Sequence, residues 1–156
     1  MKEGKSMGNI DRITCNITKP VNMEALDVSF NQLTVLVGQN GSGKSLAMII
    51  VYCLGYISSA IVINKTLFKS VLIELSQFVF DHCFNDQNFD GVISGYFASG
   101  THISITFKDG KVIDFDHYVP DDVTIPTPVV YMSSNLRTFN SVKSYLSLIH
   151  ISEPTR

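Results

Sequence analysis

The chain has 156 residues, 45% hydrophobic and 17% charged, with a net charge of −2. That length fits about one domain, and the apolar content is ample for a buried core. No basic block is present, so composition gives no electrostatic footprint for nucleic acid beyond a small local patch. The three cysteines, Cys15, Cys53 and Cys83, are far apart and form no C-x-x-C pair, which reads as buried reduced thiols rather than a disulfide framework or a zinc site. Residues 1–9 open on the polar stretch Met1-Lys2-Glu3-Gly4-Lys5-Ser6 and read as a flexible lead-in without a secretory signal, so the expected compartment is the cytoplasm.

Taken in order, Ile10 to Ile17 alternate as a strand that ends at a Thr-Lys-Pro turn. Ala25 to Phe30 make a second short strand, with Leu26, Val28 and Phe30 opposing Ala25, Asp27 and Ser29. Gln32 to Val37 is a β-branched apolar run and reads as a buried strand. Two amphipathic strands before a fully apolar one predict an antiparallel flank on a buried parallel core.

The stretch Leu46 to Asn64 runs nineteen residues without a charge. About 18 apolar residues is the usual flag for a membrane span. Gly55, Ser58, Ser59 and two tyrosines dilute this character, and the helix is expected to lie buried against a sheet, ending near Gly55 or Ser58-Ser59. No membrane span is therefore expected. From Lys65 to Phe84, Leu67, Phe68, Val71, Leu72, Leu75, Phe78, Val79 and Cys83 recur at helical spacing, with Asn64 or Thr66 as a cap. Asn85 to Asn88 form a polar loop. The period then changes to two over Val92–Ala98, His102–Phe107 and Lys111–Asp116, with Asp109-Gly110 as a tight hairpin and Ser99-Gly100 as a second turn. A loop over 120–128 leads to a further buried strand, Val129-Val130-Tyr131-Met132.

The chemistry centres on Gly38-Gln39-Asn40-Gly41-Ser42-Gly43-Lys44-Ser45, which fills every required position of G-x-x-x-x-G-K-[ST] between an expected strand and an expected helix. Glycines let successive backbone N–H groups turn inward on phosphate oxygens, and the following helix adds its N-terminal dipole. Gly38 turns the chain off the strand, while Gly41 and Gly43 permit close approach. Lys44 reaches the β- and γ-phosphates, and the Ser45 hydroxyl is the expected Mg2+ ligand. The cofactors expected are ATP and Mg2+.

Phosphoryl transfer also needs an acidic strand end and a group that positions water. Asp81 follows Phe78-Val79-Phe80 but lies on the helical stretch, Asp114 falls on an alternating hairpin strand, and Val129–Met132 ends in Ser133. The catalytic residues are therefore unassigned. His82, His102 and His117 show no ligand spacing, Asp116, Asp121 and Asp122 read as a solvated face, and Arg12 and Arg137 read as surface arginines.

The run Val-Gly-Gln-Asn-Gly-Ser-Gly-Lys-Ser after short strands resembles the heads of ABC-type ATPases, most closely the SMC, RecF and OLD-like branch of the AAA proteins. The resemblance is specific over about residues 10 to 60. It implies an α/β fold: a P-loop NTPase N-terminal lobe over 10–145, with a mixed sheet, an antiparallel meander and two main helices. It also implies that Asn40, Gly41, Ser42, Gly43, Lys44, Ser45 and Leu46 line the phosphates, and that hydrolysis needs a homodimer of heads. The signature motif and acidic strand of that family are not found here. Residues 146–156, Leu-Ser-Leu-Ile-His-Ile-Ser-Glu-Pro-Thr-Arg, match the translation of a transposase adapter used in sequencing libraries. They are expected to be non-native, with the natural frame interrupted near Tyr145. The expected functions are an ATPase of DNA repair, chromosome handling or phage defence, a transporter nucleotide-binding subunit, or a non-hydrolytic nucleotide-binding module. A DNA partner belongs to the first.

Overall fold

The computed structural model describes residues 4–20, 22–31, 34, 36–37, 43–84 and 88–128. Its elements run β1 (Lys5–Ser6), β2 (Ile10–Lys19), β3 (Met23–Ser29), α1 (Lys44–Ile63), α2 (Lys69–Phe84), β4 (Asp90–Phe97), β5 (His102–Lys108), β6 (Lys111–Tyr118) and β7 (Val123–Ile125). The fold is mixed α/β. Five strands form one antiparallel sheet in the order β3-β2-β4-β5-β6, and β1 pairs in parallel with β7 in a separate two-stranded sheet. The chain leaves edge strand β3, passes through both helices, and returns as β4 on the other side of β2.

Alternation in the strands sets which face is covered. Ile13, Cys15 and Ile17 of β2 point to the same buried side as Ile93 of β4, Ile103, Ile105 and Phe107 of β5, and Phe115 of β6. Both helices lie on that side. α1 contributes Leu46, Ala47, Ile50, Cys53, Leu54, Ile57 and Ile61 to the core, and α2 contributes Leu72, Val79, Phe80 and Phe84. At the α2 end, Phe80 meets Phe107 edge-on with ring centroids 4.9 Å apart, and Phe84 meets Phe89 at 4.8 Å. The Gln77 side chain joins α2 to the β5–β6 hairpin: its Nε2 donates to the Gly110 carbonyl at 2.9 Å, and its Oε1 accepts from the Val112 N–H at 2.7 Å. The hairpin turns as expected through Asp109 at φ 51° and Gly110 at φ 80°, the left-handed pair that matches strand twist.

Three features differ from the sequence-based expectation. First, α1 continues through Gly55, Ser58 and Ser59 to Ile63, because Gly55 and Ser58 are themselves buried and packing outweighs their weak propensity. Second, α2 starts at Lys69. Asn64 ends α1 and its Oδ1 accepts from the Thr66 N–H at 3.1 Å and the Thr66 hydroxyl at 2.6 Å, so it stabilises the connecting turn instead of opening α2. Third, the expected mixed sheet is two sheets, and the larger has no parallel pairing. Thr34, Leu36 and Val37 carry no strand, and Val37 is 90% exposed, because no described strand pairs with them. The remainder of that run and Val129–Met132 lie outside the described residues.

β1 and β7 were not foreseen. Met7 is fully buried with Val62, Phe97 and Val123 in a second small cluster, and Thr127 Oγ1 donates to the Gly8 carbonyl at 2.7 Å. Ser59 Oγ donates to the Thr127 carbonyl at 3.1 Å and Lys65 Nζ to the Pro120 carbonyl at 3.1 Å, which fastens this segment over the C-terminal half of α1.

Truncating the aromatic cluster tests the core. Phe80, 2% exposed, is expected to cost about 3–5 kcal/mol as Phe80→Ala. Ile113→Ala, at a position 54% exposed, is expected to cost less than about 1 kcal/mol. Urea unfolding of the two variants against the parent chain measures the contrast.

Candidate phosphate-binding site

Of the eight loop positions, the structure describes Gly43, Lys44 and Ser45, with Leu46 behind them; Gly38, Gln39, Asn40, Gly41 and Ser42 lie outside the described residues. Gly43 holds φ 91° and ψ 12°, a left-handed conformation, and stands as the N-cap of α1. Its carbonyl accepts the first helical bond, from the Ala47 N–H at 2.9 Å. A Cβ built on Gly43 would meet Met23 Sδ at 3.5 Å, an ordinary contact. Torsion, not space, therefore asks for glycine here.

The helix that follows starts at Lys44. No side-chain hydrogen bond caps it and no acidic residue stands in its first turn. The leading N–H groups of Lys44, Ser45 and Leu46 precede the first intrahelical bond, so the positive end of the dipole is presented there. Leu46 is buried and anchors the turn in the core, Lys44 is half-buried, and Ser45 is exposed. Sequence thus places an ammonium and a hydroxyl beside a set of backbone donors, an arrangement suited to an anion with several oxygens.

A cavity of about 370 Å3 lies elsewhere along the same helix, lined by Phe30, Asn31, Thr34, Val51, Gly55 and Phe97 among others. Val51 and Gly55 are seven and eleven residues beyond Lys44, or about 10 and 16 Å at the helical rise. Phe30, the nearest aromatic residue before the loop in sequence, therefore faces the flank of α1.

The other candidates have structural partners. Asp81 Oδ1 accepts from Gln77 Nε2 on α2. Asp114 is ion-paired with Lys69, whose hydrogen bond holds its carboxyl below the usual range. Arg12 makes a two-pronged contact with Asp27, both bonds at 2.7 Å, and lies 5.3 Å from the Tyr96 ring centre. That pairing keeps the Asp27 carboxyl below its ordinary range. His102 stacks between Tyr96 and Tyr118, each 5.8 Å away between ring centres. The result is a row across the solvent face of the sheet, from Asp27 on β3 through Arg12, Tyr96 and His102 to Tyr118 on β6. Alternation hints at each member, but only strand register joins them. Among the described residues, no group of three or more His, Cys, Asp or Glu side chains could hold a metal ion.

No protein-family pattern matches the chain, and neither a characterised protein nor a solved structure shows significant similarity to it.

Because Gly43 holds a left-handed backbone, Gly43→Ala is expected to destabilise the chain by about 1–2 kcal/mol. Chemical denaturation read by circular dichroism measures this loss.

Proposed function

We propose that this chain is the ATP- and Mg2+-binding N-terminal lobe of an ABC-type ATPase similar to the SMC, RecF and OLD-like branch. The observation that carries the reading is the run Gly38–Ser45 delivered, through a left-handed Gly43, to the uncapped and acid-free N-terminus of a core helix. Backbone N–H groups of the loop and first turn would take the phosphate oxygens, Gly41 and Gly43 allowing the approach. Lys44 would hold the β- and γ-phosphates as a point charge, and Ser45 would direct its hydroxyl at Mg2+. Bound Mg2+ would neutralise charge shared by the β- and γ-oxygens.

Binding and hydrolysis separate in this reading. Among the described residues no group of three or more His, Cys, Asp or Glu side chains could hold the metal. ATP turnover is assigned to the complete protein, with a second copy of the head closing over the nucleotide, in the cytoplasm and in DNA repair, chromosome handling or phage defence.

α1 is long and apolar enough to cross a membrane by length and composition, with a mean hydropathy of 2.3. We assign it to the protein interior instead, since 67% of that window is buried against the sheet and α2. A helix whose first turn holds a phosphate must also start in water.

Titration with a fluorescent ATP analogue tests the site. Lys44→Ala is expected to remove measurable binding with the circular dichroism spectrum intact, since one charge-assisted phosphate contact is worth about 1.5–3 kcal/mol. Ser45→Ala is expected to abolish the Mg2+ dependence of what remains. Unchanged affinity in Lys44→Ala would remove the phosphate assignment.

A further inference from the structure

The cavity of about 370 Å3 beside the middle of α1 has no lining residue from the Gly38–Ser45 run. Ile10, Phe30, Val51 and Phe97 give it apolar and aromatic walls. Asn9, Asn31, Thr34 and Thr127 bring neutral amides and hydroxyls to the same space. No Asp, Glu, Lys, Arg or His is among its lining residues.

The backbone around the cavity is held by contacts of its own. The Phe30 N–H donates to the Asp11 carbonyl at 2.7 Å, and the Asn31 N–H donates to Thr34 Oγ1 at 3.0 Å. The Asn9 carbonyl accepts from the Ala98 N–H at 2.9 Å, and Thr127 Oγ1 donates to the Gly8 carbonyl at 2.7 Å. Phe97 is 4% exposed and packs with Met7, Val62 and Val123, while Phe30 packs on the main core. The cavity is thus formed before any ligand arrives, which spares a ligand the cost of ordering it.

We propose that this cavity binds a small, uncharged aromatic compound with one amide-like edge, a neutral lactam or carboxamide. The assignment does not depend on nucleotide binding at the start of α1. Ligand pockets run from roughly 300 to 1,000 Å3, and this one lies at the low end, where a ligand of about one or two rings fits. Neutrality follows from the lining: a carboxylate or ammonium would give up water and meet no opposite charge. Phe30 and Phe97 suit a flat ring, which packs on aromatic walls by face or edge. A wholly apolar ring would leave the amides and hydroxyls around it without partners. An amide edge carries one donor and one acceptor, and the asparagine side chains offer both kinds of group in return.

Calorimetric titration of the full chain with three probes of similar size tests the chemistry. The neutral bicyclic lactam 2-quinolone should bind, and 2-naphthoate, an anion at neutral pH, should not bind at the same concentrations. Naphthalene, which has no amide edge, should bind about tenfold more weakly than 2-quinolone. In NMR spectra, 2-quinolone should shift the methyl resonances of Ile10 and Val51. Val51→Phe, which fills the space from α1, should abolish binding of 2-quinolone. Asn31→Leu, which keeps bulk and removes an amide, should reduce 2-quinolone to the affinity of naphthalene. Absence of 2-quinolone binding, equal binding of 2-naphthoate or naphthalene, or shifts confined to residues outside the cavity would each overturn the proposal. The three probes and the shift map on the parent chain decide the matter even where a variant does not fold.

Discussion

Everything described depends on how α1 is held. Its buried side chains cover the sheet from Leu46 at one end to Val62 at the other, and they reach β2, β4, β5, β7 and α2. A helix so apolar has few ways to remain in water, and burial on several sides at once is the one this chain uses. The same burial fixes where the helix starts. With Leu46 and Ala47 committed to the core, the turn before them cannot drift, and Gly43 must absorb the change of direction at a left-handed torsion. Core packing and the geometry at the start of α1 are therefore a single constraint.

Legibility in the sequence followed the range of the interactions. The β4–β5–β6 meander was readable because alternation and the Asp109-Gly110 pair are local signals, and the structure pairs Lys108 with Lys111 and Phe107 with Val112 as that hairpin requires. The two helices were readable from their spacing, with errors confined to ends that tertiary contacts set. β1 and β7 are two and three residues long and find each other from opposite ends of the described chain, so no window contains their signal. The row Asp27–Arg12–Tyr96–His102–Tyr118 was hidden for a related reason, since it exists only once four strand pairings are in register. At Gly38–Ser45 the motif was fully visible. What the structure adds is a short list of particulars: the torsion of Gly43, the burial of Leu46, and the position of Phe30 at the flank of α1.

The two faces of the large sheet divide the work. The inner face is aliphatic and aromatic and carries the helices. The outer face carries hydroxyls and the stacked row, in which Arg12 is paired with Asp27, while Lys69 of α2 is paired with Asp114 of β6. These pairs are exposed and contribute little net stability. Among the described residues, Lys44 joins a helix terminus that has no carboxylate in its first turn.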